Sequence, residues 1–131
     1  MLRDDLVYKD ECYRIVGVIY KVFKELGGDL LEKHYQKAVS VALRLAGIKN
    51  IEQFPVKLYY ESKFIGIYYV DFLIEIDDAK IILEIKKHEN YGLKNIKQVS
   101  EYLKALNLKL GILANFTKTG VKYKRIVNLE K

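Results

Sequence analysis

The chain is short of several residue types at once, with one cysteine, one proline, one methionine and no tryptophan among 131 residues. Because Cys12 stands alone, an intrachain disulfide and a cysteine-ligated zinc site are both excluded. That usage marks the chain as intracellular and leaves Cys12 to be read as a small core residue. No apolar run approaches the roughly eighteen residues a membrane span requires, and Met1-Leu2-Arg3-Asp4-Asp5 carries no apolar leader. A soluble, cytoplasmic protein that engages no membrane is therefore expected. Phosphate-loop spacing is missing from Gly27-Gly28 and from Thr117-Lys118-Thr119-Gly120, and no Ser-His-Asp order stands out. The only histidines, His34 and His88, have no zinc-type neighbour in the sequence. P-loop, serine-nucleophile and zinc chemistries are thereby set aside.

What is present fits a single compact domain over residues 1–131, since half the residues are hydrophobic and neither a repeat nor a linker interrupts them. The formal net charge is +6, and its distribution is uneven. From Glu89 to Lys131 nine basic residues (Lys94, Lys97, Lys104, Lys109, Lys118, Lys122, Lys124, Arg125, Lys131) face three acidic ones (Glu89, Glu101, Glu130), which accounts for the whole excess. Such a stretch points to a polyanion, with a solvated lysine-rich surface as the competing reading. Lys118, Lys122, Lys124 and Arg125 fall near strand ends, where they would meet a phosphate backbone without reading bases. Tyr59, Tyr60, Tyr68, Tyr69 and Tyr91 gather around the β-rich middle of the chain and read mainly as half-buried packing, base stacking being the lesser reading. A homodimer stays open.

Hydrophobic periodicity orders the chain. From about Asp4 to Leu26, Leu6, Tyr13, Val16, Ile19, Tyr20 and Phe23 repeat at helical spacing until Gly27-Gly28. A second helix opens with Asp29 as N-cap and Glu32 three residues on, buries Leu31, Tyr35, Ala38, Ala42 and Leu45, and stops at Gly47. Residues 55–60, 64–76 and 80–86 have the β-branched and aromatic texture of a three-stranded antiparallel meander. A third helix over 90–107 carries Ile96, Val99, Leu103 and Leu106 on one face. The apolar run from Leu108 to Ala114 then suits a strand buried on both faces, added in parallel after the helical crossover. A basic strand, roughly Lys122 to Leu129, closes a mixed α/β layer structure.

The hairpin between the second and third strands concentrates the chemistry. If Asp77-Asp78 forms its two-residue turn, partner numbers sum to 155, so Asp71 faces Glu84, Tyr69 faces Lys86, Leu73 faces Ile82 and Glu75 faces Lys80 on one sheet face. Val70, Phe72, Ile74, Ile76, Ile81, Leu83 and Ile85 then form the core face. Two carboxylates directly opposed repel one another, and partial burial makes them call for a proton, a cationic neighbour such as Lys86, or a hard divalent cation. The bland alternative is that Glu84 and Lys86 only form the wet side of an amphipathic strand. A three-residue turn would separate the pair altogether.

An acidic residue on one strand and Glu84-Ile85-Lys86 on the next, within an order of helix, three strands, helix and strand, resembles the PD-(D/E)XK nuclease superfamily. The segment Leu26-Gly27-Gly28-Asp29-Leu30-Leu31-Glu32-Lys33-His34-Tyr35 is similar to the one that names the GxxExxY family within it, with Asp29 standing at the motif's glycine. Tyr69-Val70-Asp71-Phe72-Leu73, Gln98 with Tyr102-Leu103-Lys104, Asn115-Phe116 and Lys124-Arg125-Ile126-Val127 extend the likeness over nearly the whole chain. The resemblance implies a restriction-endonuclease-like core and a Mg²⁺-dependent nuclease acting on DNA, with Mn²⁺ able to substitute. It implies Asp71, Glu84, the backbone carbonyl of Ile85 and Glu32 around the metal, Lys86 at the attacking water, and Gln98 and Tyr102 assisting on the third helix and at the nucleic acid. Glu32 has the competing role of capping its helix, and Gln98 that of a solvated helix residue. The rival reading of the whole is a non-catalytic nucleic-acid-binding or interaction module on the same fold.

Overall fold

The computed structural model describes residues 7–88 and 92–129. Asp4 and Leu6, Glu89 to Tyr91, Glu130 and Lys131, which figure in the expectations above, lie outside those residues.

Helix α1 (Lys9–Leu26) buries Cys12, Ile15, Val16, Ile19 and Val22. The expected stripe is thus rotated: Tyr13 is 81% exposed, and Tyr20 stands at the periphery with its ring edge-on to Tyr123. Aliphatic and β-branched side chains occupy the inward face, and the tyrosines stay where their hydroxyls meet water. The helix ends at Gly27, whose φ of 73° lies in the left-handed region. Helix α2 (Glu32–Leu45) starts after Leu31 and not at the expected Asp29 cap. The preceding turn is held instead by Tyr35, whose hydroxyl donates to the Gly27 carbonyl and accepts from the Leu30 N–H. Leu31 and Leu45 are exposed, against expectation, and Tyr35, Val39, Ser40 and Leu43 form the buried face.

Strands β1 (Lys49–Tyr60), β2 (Lys63–Ile76) and β3 (Ala79–Lys87) form the antiparallel meander. Helix α3 (Leu93–Leu106) then crosses over to β4 (Leu110–Phe116), parallel to β3, and β5 (Val121–Val127) closes the edge antiparallel to β4. The sheet order is β1-β2-β3-β4-β5. α1 and α2 cover one face over a core that includes Phe72, Ile74, Ile81, Leu83, Ile85 and Phe116. α3 covers the other through Val99, Tyr102 and Leu103, packed with Val56, Val70, Ile82 and Leu113. Every residue of β4 is buried, as the unbroken apolar run requires of a strand covered on both sides. The link from α1 to α2 presses on the β4–β5 turn so closely that a Cβ at Gly28 would strike the backbone of Thr117 and Lys118. None of the described helices is long and apolar enough to cross a membrane.

The β2–β3 turn is the two-residue Asp77-Asp78, with Asp77 at a φ of 54°, and the register runs from Ile76–Ala79 to Phe72–Leu83, each pair summing to 155. Beyond Leu83 the regular ladder stops, so neither the expected pairing of Asp71 with Glu84 nor that of Tyr69 with Lys86 is part of it. β2 continues with β1 alone as a two-stranded ribbon to the Tyr60–Lys63 pair, and β3 continues with β4. The side-chain alternation also slips at this point. Val70 and Tyr68 pack with α3, whereas Phe72, Ile74 and Ile76 pack with α1 and α2, so Val70 does not share the face assigned to it above. Across on β1, between the partners of Phe72 and Val70, Gln53 has a φ of 51°, a kink that accompanies the change of face.

Candidate active site

The fork between β2 and β3 is built from carboxylates. The Asp71 N–H donates to Glu84 Oε1 at 2.7 Å, and the Ile85 N–H donates to Asp71 Oδ2 at 2.8 Å. Each side chain takes the place of a main-chain acceptor, which keeps the strands joined while holding their backbones apart. The outer oxygens are also engaged: Gln36 Nε2 of α2 donates to Asp71 Oδ1 at 3.2 Å, and the Tyr68 hydroxyl donates to Glu84 Oε2 at 3.0 Å. Asp71 and Glu84 are 8% and 2% exposed.

Burial, reinforced by the charge of Asp71, pushes the Glu84 carboxyl from its ordinary 4.5 up to about 7. Burial raises Asp71 too; the Ile85 N–H, Lys86 and Gln36 oppose the rise, and the charge of Glu32 adds to it. Tyr68 is driven far above the usual tyrosine range by burial and then by Glu84, so its hydroxyl keeps the proton it donates. The site thus concentrates oxygen anions in a place that disfavours their charge, and Lys86, half-buried two residues beyond Glu84, is the positive side chain acting on both.

Glu32 arrives from the first turn of α2 and accepts the Lys87 N–H at 3.0 Å. One of its oxygens, Oε1, therefore bonds the end of β3 beside the site, and not the helix start. Tyr35, three residues later, is fully buried and stacks on Phe116 at 4.2 Å with rings 11° apart. Gln36 then reaches Asp71. One turn of α2 thus carries three separate ties, to β3, β4 and β2. The end of β3 is fixed further by Asn115, whose side chain accepts the His88 N–H at 2.9 Å and donates to the His88 carbonyl at 2.7 Å.

The structure brings Asp71, Glu84, Lys86, Ile85 and Glu32 together. Gln98 and Tyr102 lie on α3 along a groove of about 940 Å³ between that helix and the β1–β2 ribbon. Tyr102 is joined to the site through Tyr68, stacked on it at 4.3 Å. Lys122 and Lys124 are exposed on β5, and the register aligns Lys86, Asn115 and Lys122 in one row, which puts Lys122 two strands, roughly 10 Å, from Lys86. Lys118 is exposed in the β4–β5 turn. Arg125 is half-buried and donates to the Val7 carbonyl at 2.7 Å, a bond that any phosphate there would have to compete with. Tyr59, Tyr60 and Tyr69 are more than half exposed, not half-buried as expected.

Gln36, Tyr68 and Asn115 join the site only in the structure. Gln36 sits one helical turn after Glu32, a spacing that carries the signal. In sequence Tyr68 reads only as packing and Asn115 only as part of the family likeness, because hydrogen bonds between distant segments leave no local pattern.

Among the described residues no group of three His, Cys, Asp or Glu side chains forms a ready-made metal cage. The donor set still suits a hard cation: Mg²⁺ is held by one or two carboxylates, with water and substrate phosphate completing its shell. The two buried carboxylates, whose charge is disfavoured, would supply the oxygens for such an ion and the demand for its positive charge.

A mixed sheet with a forked, carboxylate-bearing hairpin flanked by helices is the restriction-endonuclease-like fold. The model of the PD-(D/E)XK nuclease superfamily matches residues 9–126, and the chain belongs to that superfamily, whose nucleases generally use divalent metal ions. No curated protein matches the chain. The crystal structure of SSO0001 superposes with a TM-score of 0.61 at 16% identity, covering 95% of this chain and 62% of that one, which shows a shared fold. This chain thus spans somewhat less than two thirds of SSO0001's length. Hjc, a Holliday junction resolvase of the archaeal hyperthermophile Archaeoglobus fulgidus, aligns over 76% of this chain and 79% of its own at 11% identity, with a TM-score of 0.49.

Proposed function

We propose that the protein is a Mg²⁺-dependent nuclease that hydrolyses DNA phosphodiester bonds, with Mn²⁺ able to replace Mg²⁺, and that it belongs to the GxxExxY branch of its superfamily. The observation that carries this reading is the buried, hydrogen-bonded Asp71–Glu84 pair with Lys86 beside it. The branch assignment is supported by Glu32 and Tyr35, the two residues of the motif that reach the sheet around the site.

In this reading Asp71, Glu84, the carbonyl of Ile85 and Glu32 would hold the cation. Bound there, the ion would lower the pKa of a water and offset charge on the phosphate. The chain's own residues do the rest. Lys86 donates to the attacking water or to the phosphate oxygens as charge builds. Tyr68 and Gln36 hold the carboxylates in orientation, and Asn115 holds the strand that carries Lys86. Gln98 and Tyr102 position the strand to be cut, and Lys118, Lys122, Lys124 and Arg125 neutralise more distant phosphates. A cytoplasmic location and a homodimer are compatible with this chemistry.

Cleavage of single-stranded, duplex and branched DNA with Mg²⁺ or Mn²⁺ tests the assignment. Wild type cuts at least one form, and Glu84→Ala and Lys86→Ala abolish cutting; activity that survives both substitutions refutes it. One observation favours a second reading, a non-catalytic module: every oxygen of Asp71 and Glu84 already has a protein donor. Calorimetric titration with Mn²⁺ separates the two, since the enzyme binds at millimolar metal or below and loses that binding in Asp71→Ala, whereas the module binds none.

A further inference from the structure

We propose that the groove between α3 and the β1–β2 ribbon is a binding site for single-stranded nucleic acid that leads the strand to the Asp71–Glu84 pair, an inference that rests on the nuclease reading for its outcome at the site. The ribbon beyond the fork has no third strand among the described residues, and α3 packs along only part of it, which leaves a groove of about 940 Å³.

Its lining is of two kinds. Lys57, Lys94 and Lys97 are exposed on its walls, and its one acid, Glu101, is paired with Lys104 at 3.6 Å, so the field is positive. Between the lysines the surface is apolar and aromatic: Leu58, Tyr59 and Ile65, the last two 59% and 63% exposed. The Tyr59 ring is set at 72° to Phe64, with centroids 6.0 Å apart, which fixes its orientation without covering it.

A duplex offers its phosphates outward and would lay them against an apolar surface that cannot use them. A single strand presents phosphates to the lysines and base faces to Tyr59 and its aliphatic neighbours, the combination that binds single strands without reading sequence. A second copy docked here across a two-fold axis would bury the same lysine-bearing patch on both chains, setting positive surface against positive surface. The groove is also linked to the site through two side chains. Tyr102 in its wall stacks on Tyr68, whose hydroxyl donates to Glu84.

The test is fluorescence anisotropy without divalent metal, using the full chain and a labelled oligonucleotide of about fifteen nucleotides, a length that spans the usual single-strand site, as single strand and as duplex. The single strand is expected to bind at least tenfold tighter. Tyr59→Ala weakens it about tenfold, and Tyr59→Phe leaves it unchanged. Lys94→Ala with Lys97→Ala reduces the slope of log affinity against log salt by about 1.4, from roughly 0.7 per phosphate contact on single strands. These side chains are exposed, and circular dichroism of each variant reports its fold. Equal or tighter duplex binding that ignores Tyr59→Ala overturns the groove and leaves the nuclease reading standing. Groove binding intact with no cleavage of any substrate overturns the nuclease reading and leaves the groove. A change of oligomeric state in Tyr59→Ala or Ile65→Ala, seen by light scattering with nucleic-acid affinity unaltered, would make the surface a contact between copies and overturn the proposal.

Discussion

The two ends of the β2–β3 hairpin start from one register and diverge in what they hold. From Ile76–Ala79 to Phe72–Leu83 the ladder is regular, and apart from the Glu75–Lys80 pair its side chains are apolar and buried under the helices. One step further, carboxylates replace main-chain acceptors, the strands part, and the buried groups are ones whose charge burial opposes. The closed end is arranged for stability. The forked end gives stability up to keep two carboxyl groups out of water, and their proximity is what the proposed chemistry on a phosphate would use.

Substitutions at the two ends should therefore act in opposite senses. The largest expected effect is at the fork, where Glu84→Ala lowers cleavage by about a thousandfold or more, read in the DNA assay with Mg²⁺. At the closed end Leu83→Ala, in a fully buried position, costs about 2–5 kcal/mol of unfolding free energy in a denaturant titration. Should that variant prove as stable as wild type, the contrast between the ends would collapse.

Glu84→Gln is expected to raise metal-free stability at neutral and higher pH by on the order of 1–3 kcal/mol, because the amide keeps an acceptor for the Asp71 N–H without the buried charge. The pH dependence has the same origin. The folded protein holds the Glu84 proton up to about 7, against an ordinary 4.5, so the contribution of this group is fully present below about 4.5 and is lost as pH rises through about 7. Melting temperatures of the metal-free protein between pH 4.5 and 8 should show that decline in wild type, a smaller decline in Glu84→Gln, and recovery when Mg²⁺ is added to wild type at the upper end. A decline of equal size in both proteins would place the titrating group elsewhere. The smallest expected effect is Tyr68→Phe, which removes one donor to Glu84 and keeps the ring stacked on Tyr102, at a cost of about 1–2 kcal/mol in the same melts.

Much of this molecule was legible in its sequence. The eight elements follow from local patterns, and a two-residue turn at Asp77-Asp78 brings Asp71 near Glu84. The errors share a cause. Tyr13, Tyr20, Leu31 and Leu45 fit a helical period but lie outside the core, because periodicity marks a face within about one residue and the rotation that wins is set by neighbouring elements. Asp29 has the chemistry of a cap, yet Tyr35 holds the turn before α2 in another course. Val70 obeyed strand alternation only until the kink between the ribbon strands moved it to the other face.

By itself, then, the sequence pointed to the element order, the parallel crossover into β4 and, given a two-residue turn at Asp77-Asp78, the nearness of Asp71 to Glu84, all of which rest on local pattern. Only the tertiary structure decided that the hairpin forks where the carboxylates sit. It alone joined Gln36 and Glu32 of α2 to strands 35 and 55 positions away, and made Tyr68 and Tyr102 a bridge between a groove and Glu84. Those bonds link groups far apart in sequence, and their geometry exists only once both faces of the sheet have been covered.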